Sequence, residues 1–191
     1  MNPSELRAAV AAHFERHLGR GQLVLRGAPG GLFIPRHLPI YGAPPCEGRT
    51  HWVLRTIGAS LRVLEGRKGE ERRFEFVMSL PDDWIPSEKW PAYMFQRASA
   101  AILTRGLAPE EGGVVFNSAE TVHGSPHVFA LLVAPSRQFG QHAAFRTLSG
   151  TLVEVYAMWP LTFDEWQLHQ GRCLNTATLP EVIEHWRDML R

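Results

Sequence analysis

Cysteine is scarce in this chain, with only Cys46 and Cys173 among 191 residues. The two are far apart and lack CxxC spacing, which excludes a disulfide framework and suits a reducing compartment. Excess charge of either sign is also missing. Twenty Lys and Arg face 19 Asp and Glu, a formal net charge of +1. That balance argues against a nucleic-acid binder, which concentrates cations to meet phosphates, and against a polybasic membrane surface. No apolar run approaches the length of a membrane span. The N-terminal "MNPSELRAAVAAHFERHLGR" lacks the basic start and continuous apolar core of a signal peptide, because Arg7, Glu15 and Arg16 interrupt it. The expectation is a cytoplasmic protein with no membrane partner.

What is present is ordinary globular material, 45% hydrophobic and 20% charged, and long enough for one domain with a sizeable core. The first segment reads as a helix. Asn2 caps it, Pro3 takes the first position and Glu5 closes a capping box. Leu6, Val10, Phe14 and Leu18 form one stripe, and Gly19 and Gly21 end it. Short extended runs follow: "QLVLRG", "GGLFIP", "HLPIYG" and "THWVLRTIGAS". "GRKGE" has the composition of a hairpin tip. In "RRFEFVMSL" Phe74, Phe76, Met78 and Leu80 alternate with Arg73, Glu75 and Ser79, the pattern of a half-buried strand.

From Trp90 the period becomes helical, with Met94, Phe95, Ala98, Ala101 and Ile102 on one side and Gly106 as the stop. A polar loop over 108–127 leads into "VFALLVAP", a strand covered on both faces, and "TLVEVYAMW" is another strand. Capping boxes at Thr162/Glu165 and Thr178/Glu181 open two closing helices. The order predicts an α+β fold: a mixed, largely antiparallel sheet with helices packed on it, one domain over residues 1–191.

"SLPDDWIPSEKWP" places Asp82 and Asp83 beside Trp84 and Trp90. Paired carboxylates do acid–base work when held across a cleft. Consecutive residues in a turn point apart, and Pro-Asp-Asp is a turn composition. The four residues therefore read as a structural junction between strand and helix, with both tryptophans buried.

A strand ending in Leu-Pro-x-x-Trp, a second Trp-Pro opening a helix, "FALLVAP", and "VEVYAMWPLTFDEWQLHQGR" form a series between about His51 and Gly171. In order and spacing it resembles the suppressor-of-fused domain family as found in bacteria. The resemblance implies a single suppressor-of-fused-like domain that binds a protein or peptide and carries no catalytic residues. The animal member is a two-domain protein that clamps a short peptide of a zinc-finger transcription factor as an extra strand. This chain is too short for the second of those domains. Bacterial relatives are stand-alone binding proteins, some proposed as immunity proteins that neutralise secreted toxins.

His13 and His17 are one helical turn apart, a spacing able to hold a metal. His17 falls inside the apolar stripe and His13 on its edge, so core or boundary roles are preferred. Cys46 has no local group to activate its thiol. "GAPGG" lacks the ending of a phosphate loop, and "HFERH" is not a zincin motif. No cofactor and no metal are expected. The partner-binding candidates are Asn117, Ser118, Glu120, Thr121, His123 and His127, in a long loop where binding residues tend to lie. Two other functions remain open: a hydrolase or metal-dependent enzyme built on that His-rich loop with Glu120, and a structural subunit of a larger assembly.

Overall fold

The computed structural model describes residues 2–27, 37–116 and 128–170. Helix α1 (Pro3–Leu18) begins where Asn2 Oδ1 accepts the Ser4 N–H at 3.0 Å, and it buries Leu6, Val10, Phe14 and Leu18. Glu5 is exposed in its first turn. Gly19, at φ 77°, turns the chain away and donates its N–H to Glu15 O. Arg49 Nη1 donates to Leu18 O at 3.0 Å and Arg55 Nη1 to Gly19 O at 3.3 Å. Two carbonyls at the helix end thus find cationic donors.

The strands are β1 (Gln22–Leu25), β2 (Ile40–Ala43), β3 (Trp52–Thr56), β4 (Leu64–Glu65), β5 (Glu71–Arg72), β6 (Phe74–Leu80), β7 (Gly113–Phe116), β8 (Ala130–Pro135), β9 (Ala144–Arg146) and β10 (Leu152–Leu161). Helices α2 (Trp90–Arg105) and α3 (Phe163–Gln170) complete the described set. The main sheet runs β1-β2-β3-β6-β10-β8-β7, and β9 pairs with the start of β10. Strands β6 and β10 are parallel, and the other pairs of described strands are antiparallel. The β4–β5 hairpin carries the "GRKGE" tip and forms a separate two-stranded sheet.

Strand β6 departs from the expected half-buried pattern. It lies at the middle of the sheet, and six of its seven residues are buried, Glu75 completely. Alternation of residue type marks two faces, and tertiary packing covers both. On one face Arg55 sits over the Phe14 ring of α1, 5.4 Å from its centroid. On the other, Phe74 meets Tyr156 edge to face at 5.0 Å.

Helix α2 touches both β1 and β7, the two ends of the sheet path. A sheet curved far enough for both ends to reach one helix buries that helix almost all round. Gln96, Ser99 and Ala100 are therefore buried along with the expected stripe. Gln96 Nε2 donates to Leu38 O, and Ser99 Oγ to Phe95 O, so both side chains find partners. The capping box of α3 forms as expected, with Thr162 N–H bound to Glu165 Oε2 and Glu165 N–H to Thr162 Oγ1. The "GGLFIP" run and the Thr178/Glu181 helix start lie outside the described residues.

Candidate functional site

Among the described residues the sheet has two outer edges, and they are built differently. At β1 the register slips between Leu23 and Leu25, leaving Val24 as a bulged residue. Lys89 Nζ, from the start of α2, donates to Val24 O at 3.1 Å. A short strand with a bulge and a lysine on it is a blunted edge. At the opposite edge β7 pairs with β8 from Gly113↔Val133 to Phe116↔Ala130. Among the described residues no strand lies beyond it.

Strand β7 corrects the expectation of a polar loop over all of 108–127. The turn glycines are Gly112 and Gly113. After them come Val114, Val115 and Phe116, a β-prone run that pairs with an apolar strand.

The base of this edge is pinned from several sides. Glu65 of β4 donates its N–H to Gly106 O and accepts from Ala108 N–H, each at 2.8 Å. Arg67 at the hairpin tip forms an ion pair with Glu110. Gly113 N–H closes a turn on Glu110 O at 3.0 Å, and His169 Nε2 of α3 donates to Gly112 O at 2.8 Å. Asn117, Ser118, Glu120, Thr121, His123 and His127 lie outside the described residues. The chain that carries them leaves β7 after Phe116 and returns at Val128, and the Phe116↔Ala130 pair holds its two ends together.

Asp82 and Asp83 are exposed, and Asp82 Oδ1 accepts the Asp83 N–H at 3.0 Å within a turn. Trp84 is buried, donates Nε1–H to Glu88 O at 3.1 Å and packs edge to face on Trp52. Trp90 is only half-buried against the core. Cys46 is exposed and free, in a two-residue bridge with Arg49. The two histidines of α1 exchange the places expected for them: His13 is buried and His17 half-exposed. The cause is packing that the helical wheel does not contain: the chain after β8, through Phe139 and through Phe145 of β9, covers His13. Among the described residues no group of three or more His, Cys, Asp or Glu is arranged to hold a metal.

Two polar features were not legible as sites. Glu75 accepts hydrogen bonds from Thr56 Oγ1, Ser60 Oγ and the N–H groups of Gly58, Ala59 and Ser60. Those three N–H groups open the 3-10 turn Ala59–Leu61. Burial raises the pKa of the Glu75 carboxyl, and the bonds from Thr56, Ser60 and Gly58 oppose that rise. A recess of about 20 Å³ lies between β6, β10 and the chain after β8, lined by Val77, Ser79, Ser136, Gln138, Ala157 and Trp159. That is room for on the order of one water molecule. Ser136 Oγ, buried there without a protein partner, is suited to bind it.

The comparisons with known proteins agree with this architecture. A sequence profile described as suppressor of fused protein matches residues 35–187. The curated proteins contain no match. A chain of the Sufu–Fu complex crystal structure is 19% identical with a TM-score of 0.61, covering 90% of this chain and 81% of that one. Drosophila Suppressor of Fused is 17% identical with a TM-score of 0.59, covering 88% of this chain and 46% of its own. A SUFU homologue from Neisseria gonorrhoeae is 14% identical with a TM-score of 0.60, and the match covers 94% of both chains. At these identities the structures show the fold, and the profile, spanning most of the chain, shows the family: this chain belongs to the suppressor of fused protein family.

Proposed function

We propose that the chain is a non-catalytic protein-binding module that takes an extended segment of a partner protein along β7 and the neighbouring 117–127 segment. The observation that carries this reading is the inequality of the two sheet edges. Strand β1 is blunted by its bulge and by Lys89. Strand β7 ends the path on its side among the described residues. In an antiparallel pair, alternate residues point their N–H and C=O groups away from the partner strand. An added strand supplies bonds for such groups, and side chains beside the edge supply specificity. Asn117, Ser118, Glu120, Thr121, His123 and His127 are the polar groups offered there. A Sufu chain is described in complex with Fu, so binding a protein has a precedent within the fold.

The finer reading is an immunity-type protein of the bacterial cytoplasm whose partner is a toxin. The match with a SUFU homologue from a bacterium, Neisseria gonorrhoeae, supports a bacterial setting for this reading. The test begins with a pull-down from the native host. The 117–127 segment is then replaced by a Gly-Ser connector, and affinity and melting temperature are measured for the captured partner. A loss of at least about tenfold in affinity at an unchanged melting temperature is expected, the effect of removing on the order of 1.4 kcal/mol of contacts. Unchanged affinity in the folded variant removes this edge from consideration. Hydrolysis of a small molecule by the purified chain would revive the enzyme reading, and a stable large assembly in light scattering the subunit reading.

A further inference from the structure

The chain from 136 to 146 forms an arch that leaves β8, packs on α1 and returns as β9. Its ends are tied to β10: Ser136 N–H donates to Val155 O, and Val155 N–H to Ala143 O. Between them, contact with α1 is aromatic. Phe139 is buried, edge to face with Phe14 at 5.6 Å and stacked with His13 at 5.7 Å. Phe145 lies flat on His13, with centroids 3.9 Å apart and planes 10° from parallel. His142 stacks on His17 at 4.7 Å, and His17 is 4.7 Å from His13.

We propose that this arch is an acid-operated latch, held on α1 while the buried His13 is neutral and released when it takes up a proton.

Three features favour the neutral stack. His13 is buried, and its Nε2 has no hydrogen-bond partner, so an imidazolium there would bury an unsatisfied charged N–H. His17 and Arg16 on its own helix and His142 on the arch are cationic when charged, and none of them offers a carboxylate. On the sheet below, Arg55 is cationic and Glu75 is committed to the 3-10 turn at 59–61. Arg146 on β9 is exposed and bound to Gly150 O. Stacking on Phe145 and a hydrogen bond to the His142 backbone favour a cation, but they act against both burial and three like charges. Burial and His17 together lower the His13 pKa to about 4, and burial and His142 lower that of His17. Release uncovers Phe139 and the Phe14 ring beneath it.

The test is amide exchange, corrected for intrinsic rate, at pH 7.5 and pH 5.0. A site that moves from about 4 when closed to 6.5 when open lowers the closed-to-open ratio about 30-fold over that interval. Loss of protection in 137–146, and at the Val155 amide that bonds Ala143 O, is expected while β6 and β8 stay protected. His13→Phe keeps a ring and removes the proton, so its arch should keep its protection at pH 5.0. Should that variant not fold, His17→Gln with His142→Gln serves, and the release is expected at a lower pH. Equal wild-type protection at both pH values overturns the latch. So does full pH dependence in the variant that folds, or simultaneous loss of protection in the arch and the central strands, which is global unfolding.

Discussion

Glu75 and His13 are both buried polar residues on the α1 side of the sheet, and their surroundings are opposite. Glu75 meets five donors, two hydroxyls and three N–H groups. His13 meets rings on several sides and leaves Nε2 unpartnered. The first arrangement ties three pieces of chain together through one carboxylate: β3, the turn after it and β6. The second packs well only in one protonation state. Burial alone therefore does not say what a polar residue does; the inventory of partners does.

The largest expected effect comes from breaking the satisfied side. Glu75→Ala leaves the N–H groups of Gly58, Ala59 and Ser60 without their acceptor and should cost about 4 kcal/mol, on the order of 10 °C in melting temperature. Urea denaturation measures it, and a loss below about 1 kcal/mol would show that water replaces the carboxylate at little cost.

Next comes pH. The folded pKa of His13 lies below its ordinary 6.5, at about 4. Its contribution is complete above pH 6.5 and is lost as pH falls towards 4, because the unfolded chain binds the proton first. The loss is about 3 kcal/mol at most. Glu75 has the opposite sign. Its raised pKa makes acidification relieve the cost of a buried charge. Unfolding curves at about pH 7 and about pH 4.5 should show wild type losing stability, and His13→Phe losing much less. Equal losses would remove His13 as the cause.

A smaller effect tests the Glu75 site at its hydroxyl. Thr56 Oγ1 donates to Glu75 and accepts the Phe76 N–H at 2.9 Å. Thr56→Val keeps the shape and removes both bonds, at a cost of about 2 kcal/mol; a midpoint equal to wild type would contradict it. The smallest effect is the control. Asp82→Asn with Asp83→Asn alters exposed turn carboxylates and should stay within about 0.5 kcal/mol. A larger loss would mean the acidic pair does more than shape a turn.

Local signals read well where the chain's own geometry decides the outcome. The α1 stripe, the Gly19 stop, the Gly106 stop and the Thr162/Glu165 box all act within one or two turns of helix. The short β7 is hidden in the sequence because four residues, the first of them Gly113, carry little periodicity, and pairing with β8 is what makes them a strand. Trp84 and Trp90 look alike in sequence, yet Trp84 is the one enclosed, because Trp52 from a separate strand packs on it.

Element types, the α+β class and the family series of strand and helix junctions follow from the order of residues alone, because they rest on spacing and composition along the chain. The buried polar sites do not. Glu75 sits on what reads as the polar side of β6, and only the turn at 59–61 folding over that side buries it and supplies its donors. His13 sits on the edge of the α1 stripe, and only the arch returning from β8 covers it. In both cases the deciding neighbour is distant in sequence, and a residue's period along its own element does not record what packs against it.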